Sequence, residues 1–130
     1  MVNYLEMWAK DVFTRNPLEI TKEIYVKGIQ KKHLGPRLEY AVIELKVEPS
    51  DCFRVEIHET LKKLDNDSKE LIDAAIFGIL DVILTHNILP LRNLNIHFLS
   101  VDIHAVDSNI MAFRKAGRDA GKKIIEKISD

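Results

Sequence analysis

Leu94-Asn-Ile-His-Phe-Leu-Ser-Val-Asp-Ile103, followed by His104-Ala-Val-Asp-Ser108 and an amphipathic run to Ile128, reads as a strand, a short turn and a long helix. Leu94, Ile96 and Phe98 share one face of the strand, and Leu99, Val101 and Ile103 the other. The alternation therefore slips near Leu99 and Ser100, as in a strand apolar on both faces or one carrying a bulge. Ser108 suits a helix N-cap, since its hydroxyl can accept from an orphan backbone N–H, and Asp107 adds negative charge at the positive end of the helix dipole. The helix is expected to begin at about Asn109.

Along it, Ile110, Phe113, Gly117, Ala120, Ile124 and Ile128 follow the spacing of one buried face. Arg114, Arg118 and Lys122 form a cationic stripe on another side.

The run Ile103-His-Ala-Val-Asp-Ser-Asn-Ile-Met-Ala-Phe-Arg-Lys-Ala-Gly117 resembles the strand-turn-helix signature of domain IV of the ribosomal translocase elongation factor G. The shared features are a His-x-Val-Asp-Ser turn and Ala-Phe in the first helical turns. Pro17-Leu-Glu-Ile-Thr-Lys-Glu-Ile24 is similar to that domain's opening strand, and Ala41-Val-Ile-Glu-Leu-Lys-Val-Glu-Pro49 to its strand ending in Glu-Pro. The resemblance covers about Pro17 to Ile128, with the most specific matches at Val106-Asp107-Ser108 and Ala112-Phe113. The translocase's neighbouring domains are not in this sequence.

At 130 residues the chain fits one domain, here divided into an N-terminal helical extension over 1–16 and the family-like domain over 17–130. No apolar run reaches the ~18 residues of a membrane span, and the N-terminus lacks the basic-then-apolar order of a secretion signal. The expected location is the cytoplasm, with no membrane partner. Cys52 stands alone, which excludes an internal disulfide and argues against a cysteine-based metal site. A formal net charge of −1 conceals segregation: Lys27, Lys31, Lys32 and Arg37 occur without an acid between Lys27 and Leu38. From Glu39 to Asp73, ten acidic side chains stand against five basic ones.

Met1 to Phe13 reads as a short helix with Leu5, Trp8 or Met7, and Val12 on one side, ended by Asn16-Pro17. Such a helix is either a lid over the sheet or a partner-binding element; Trp8 packed on its own domain is the expected arrangement. Leu18 to Lys32 reads as a long strand that turns at Gly35-Pro36. Tyr40 to Glu48 is the return strand, with Ala41, Ile43, Leu45 and Val47 inward and Glu44, Lys46 and Glu48 on a wet face. Phe53, Val55 and Ile57 mark a third strand, expected to complete an antiparallel meander. Leu61 to Ser68 is a polar linker whose Asp65-Asn-Asp-Ser can cap a core helix running from Lys69 to about His86. Gly78 inside that helix points to the close approach of another element, and Asn87 and Pro90 end it.

The order strand, strand, strand, helix, strand, helix with one wet sheet face gives an α+β two-layer sandwich: a four-stranded sheet with two helices on one face. The resemblance implies the ribosomal protein S5 domain 2-like version, with a left-handed crossover where general sterics favour a right-handed one.

His97, Asp102, His104 and Asp107 are the nearest thing to a catalytic or metal grouping. A regular strand sends His97 and Asp102 to opposite faces, no activated nucleophile lies near, and a metal needs several converging ligands. No enzyme, metal or cofactor is therefore expected. No Gly-x-x-x-x-Gly-Lys-Ser/Thr run occurs, so GTP binding is not expected either. The resemblance implies a non-enzymatic binding module whose tip, built from Lys31, Lys32, His33, Arg37, His104 and Ser108 with Arg114 and Arg118, contacts the ribosome, rRNA or another structured RNA. In the translocase the hairpin tip is glycine-rich; here only Gly35 and Arg37 fit that pattern, and Ala105 replaces an acidic residue of the turn. The competing reading is a protein-interaction or homodimerisation domain that kept the scaffold without RNA binding. Both readings require the loop at Gly35 and the loop at His104 to lie at one end of the molecule.

Overall fold

The computed structural model describes residues 2–13, 19–34, 37–86, 91–104 and 106–129, with the backbone alone at 9, 12, 13, 34, 37 and 129. The expected turn at Gly35-Pro36 and the helix stop at Asn87 and Pro90 lie outside the described residues, as does the Asn16-Pro17 stop. The elements are α1 (Tyr4–Phe13), β1 (Ile24–Leu34), β2 (Arg37–Pro49), β3 (Arg54–Ile57), α2 (Asn66–Ile83), β4 (Leu94–Asp102) and α3 (Ile110–Ser129), with a 3-10 helix at Glu59–Lys63.

The strands form a single mixed sheet in the order β1-β2-β4-β3. β1 and β2 are an antiparallel hairpin in unbroken register from Ile24↔Val47 to Leu34↔Arg37. β4 runs antiparallel to β2, while β3 pairs parallel with β4, from Arg54↔Asn95 to Ile57↔Phe98. The three-strand meander is thus corrected. β4 offers β2 a long apolar ladder, and the four-residue β3 takes β4's other side, with α2 as the crossover between these parallel neighbours. β1 starts later than expected, at Ile24, although Ile20 before it is buried.

The slip in β4 is a bulge. Glu44 faces Ser100 and Leu45 faces Phe98, so Leu99 is the extra residue. Its effect is to reverse the pleat. Leu94, Ile96 and Phe98 are fully buried before it, and after it Val101 and Ile103 pack against the same core instead of pointing away. With a period of two, one inserted residue returns the next apolar set to the face the previous one occupied.

That core face, completed by Ala41, Ile43, Leu45 and Val47 of β2 and by Ile24 and Val26 of β1, carries both helices. α3 lies over β1 and β2 so closely that a Cβ on Gly28 would stand 2.3 Å from the Ala116 carbonyl oxygen. α2 and α3 meet through glycine: a Cβ on Gly78 would be 2.0 Å from the Arg114 carbonyl oxygen, and one on Gly117 would be 2.0 Å from that of Ala75. Main chain therefore packs on main chain, as the lone Gly78 in an apolar helix suggested.

Helix ends differ from the sequence reading in instructive ways. α2 begins at Asn66, because Asp65 accepts the Ser68 N–H at 2.8 Å as its N-cap. The linker before it is not featureless, since Leu61 is buried within the 3-10 helix. α3 is capped by Asn109, whose side-chain oxygen accepts from Ala112 N–H at 2.7 Å, and not by Ser108. Ile110 is 55% exposed, so the buried stripe starts at Ala112 and Phe113. α1 forms, but Trp8 is 54% exposed and Leu5 73%, so the expected packing of Trp8 on the domain is not found. A single amphipathic stripe fixes which residues share a side of a helix, and leaves open whether anything covers them.

Candidate functional site

Antiparallel pairing sets the geometry of the tip. Because β4 runs against β2, its C-terminal end at Asp102 lies opposite Val42, towards the β1–β2 turn. The hairpin and the β4–α3 turn consequently lie at the same end of the sheet, and β2 continues beyond that register position to Arg37.

Tyr40 joins the two. Its ring stacks on His104 with centroids 3.6 Å apart and planes 5° from parallel. Its main chain accepts the Ser108 hydroxyl proton at 2.6 Å and donates N–H to the Asp107 carbonyl at 3.1 Å. Ser108 Oγ in turn accepts the His104 N–H at 2.8 Å, closing the turn on itself. The Tyr40 hydroxyl donates to Asp102 at 2.5 Å, a bond that holds its own pKa above the ordinary phenol value. Lys31, directly across the ladder, places its ammonium 5.3 Å from the ring centroid of Tyr40. One aromatic residue thus ties a basic strand to a histidine turn by stacking, main-chain bonds and a cation–π contact.

Just below, Glu39 is 5% exposed and accepts from Lys115 Nζ at 2.8 and 3.2 Å, which fixes the start of α3 to β2. Tyr40, Glu39 and Lys115 were not singled out by the sequence. The cross-strand alignment that joins them exists only once β2, β4 and α3 are assembled, although the aromatic Tyr40 at the head of an alternating strand was a visible signal.

The residues expected at the tip divide into four groups. Lys31, Lys32 and His33 are exposed on the hairpin, and His104 is exposed on the turn, so the structure brings these four to one end. Arg37 pairs with Leu34 in the hairpin backbone, and its side chain lies outside the described residues, as does Ala105. Ser108 is half-buried and spent on internal bonds. Arg114 and Arg118 are not part of this cluster. Both reach Asp81 on α2, at 2.8 and 3.0 Å for their Nε atoms, and Arg114 also lies over Phe77 at 6.0 Å. Their shared carboxylate is held well below the ordinary carboxylate range, at about 2, chiefly by the hydrogen bond from Arg114 and then by that from Arg118. Two of the three cations of this stripe are thus engaged by one carboxylate in the fold.

The bulge also revises the acid–base grouping. His97 faces Lys46 and Asp102 faces Val42, so both are on one face of the sheet, contrary to the expectation from unbroken alternation. They remain four ladder positions apart, roughly 13 Å at ~3.4 Å per residue. His97 instead lies 3.4 Å from Glu56 of β3, and Asp102 is engaged by Tyr40. A groove of about 810 Å³ between the N-termini of α2 and α3 includes His104 but neither His97 nor Asp102. Among the described residues, no three His, Cys, Asp or Glu side chains gather as metal ligands. Nor is any described helix long and apolar enough to cross a membrane.

Comparison with known proteins agrees with this architecture. A crystal structure of a protein from Thermus thermophilus superposes with a TM-score of 0.61 at 22% identity, covering 81% of this chain and 16% of the other. The similarity is one of fold, and the chain spans about a sixth of that protein's length. A search of curated proteins returned no match. The family described as Elongation factor G, domain IV, matches residues 16–129, nearly the whole sequence. The chain therefore belongs to the elongation factor G domain IV family, a family of non-catalytic, translation-related domains.

Proposed function

We propose that the hairpin and the His104 turn form a contact surface for structured RNA, with the ribosome as its setting, in keeping with the family. The observation that carries this reading is the Tyr40–His104 stack with Lys31 beside it. It combines an exposed flat ring, on which an unpaired base can stack, with the exposed cations Lys31 and Lys32 for phosphates. Ser108 is assigned to shaping the turn, His33 to the rim, Arg37 to a further positive charge on the hairpin, and Arg114 and Arg118 to holding α2. The chain acts here as a binding module without chemistry, cofactor or GTP, in the cytoplasm. Binding to purified small ribosomal subunits should fall steeply with added salt and be lost on Lys31→Glu with Arg37→Glu. Absence of binding at low salt, or binding indifferent to the charge reversal, would overturn the assignment.

A second reading rests on α1, where Tyr4, Leu5, Met7 and Trp8 are all more than half exposed. Four exposed apolar side chains within one short helix favour a protein partner. Its check is a partner-dependent change in Trp8 fluorescence together with light scattering.

A further inference from the structure

β1 is an edge strand eleven residues long, with β2 on one side only. In an antiparallel hairpin, alternate residues turn both their N–H and their C=O away from the neighbour, and such an unpaired row is a template for another strand. On β1 the outward row includes Tyr25, Lys27 and Ile29, and each of them is met by a side chain of α3. Asp119 Oδ2 accepts the Ile29 N–H at 2.9 Å, Lys123 Nζ donates to the Lys27 carbonyl at 2.7 Å, and Lys127 Nζ donates to the Tyr25 carbonyl at 2.5 Å. The three are spaced i, i+4, i+8 on one helical stripe, and the first two are themselves paired at 2.9 Å. The signs match the groups they meet: a carboxylate for the donor, ammoniums for the acceptors. Close seating of α3 at Gly28 brings the stripe within reach of the edge.

We propose that Asp119, Lys123 and Lys127 seal this edge, so that β1 of a second copy of the chain cannot add to it from Tyr25 to Ile29. Within this segment Tyr25, Lys27 and Ile29 are exposed, and an antiparallel pair of two such edges would set Tyr25 of each copy against Ile29 of the other, which makes another copy the occupant to be excluded. This function is separate from RNA contact and stands or falls independently of it.

The test uses the full chain with Asp119→Ala, Lys123→Ala and Lys127→Ala, changes that suit a helix interior. Circular dichroism establishes that the variant is folded. By light scattering its mass should exceed that of the wild type at equal, high micromolar concentration. Adding Ile29→Pro, which removes the outward N–H without touching the β2 ladder, should return it to the wild-type value. In a single Asp119→Ala variant the Ile29 amide should exchange with solvent at least about tenfold faster. A folded triple variant of unchanged mass, or an association that Ile29→Pro does not reverse, would overturn the proposal. So would unchanged exchange at Ile29.

Discussion

Tyr40 and His104, sixty-four positions apart, stack 3.6 Å from centroid to centroid and so hold the β1–β2 hairpin against the β4–α3 turn. Losing the ring should free the turn. Tyr40→Ala is expected to cost about 1–3 kcal/mol of stability, whereas Tyr40→Phe, which keeps the stack and loses only the bond to Asp102, should cost less than about 1 kcal/mol. Thermal melts of the two variants measure the difference. RNA affinity should follow the same order.

Gly78 and Gly117 give a prediction of unusual sign. Glycine to alanine inside a helix ordinarily stabilises by up to about 1 kcal/mol. Here the new methyl would meet a backbone carbonyl at 2.0 Å at either position, so Gly78→Ala and Gly117→Ala should each destabilise by roughly 2–4 kcal/mol as the helices are forced apart. Chemical denaturation midpoints would show it; an unchanged or raised midpoint would contradict the close packing.

Asp81 makes stability depend on acid. Its folded pKa lies below that of an unfolded aspartate, so the stabilisation is present above about pH 4 and disappears as pH falls towards about 2. With solvent screening its size is about 1–2 kcal/mol. Asp81→Asn should be less stable than the wild type by that amount at neutral pH. The gap should narrow steadily between about pH 4 and 2 when both are melted across that range.

Glu39 and Lys115 form a pair with one buried partner. Lys115→Met strands a carboxylate that is 5% exposed and should cost about 2–4 kcal/mol. The double change Glu39→Leu with Lys115→Met removes the stranded charge and should recover most of the loss. A double-mutant cycle on melting free energies isolates the coupling.

Much of the architecture was legible in the chain itself. Strict alternation in Ala41 to Val47 produced the inward face of β2, the run around Gly78 produced a core helix needing close approach, and the slip at Leu99 left a bulge as one of two readings, which the register of β2 and β4 decided. These are local patterns, and local sterics and hydrophobicity are enough to fix them. The turn sequence after Ile103 also pointed to the family that residues 16–129 match.

Assembly decided the rest. Whether β3 joins β2 or β4 depends on which strand reaches the free ladder of β2, and nothing within Arg54–Ile57 encodes that choice. Arg114 and Arg118 look like free cations until α2 brings Asp81 beside them, and Asp119, Lys123 and Lys127 look like solvent charges until α3 settles on the edge of β1. Periodicity along a chain tells a side chain which way to face. Only the neighbouring element, distant in sequence, supplies the charge or carbonyl it will find there.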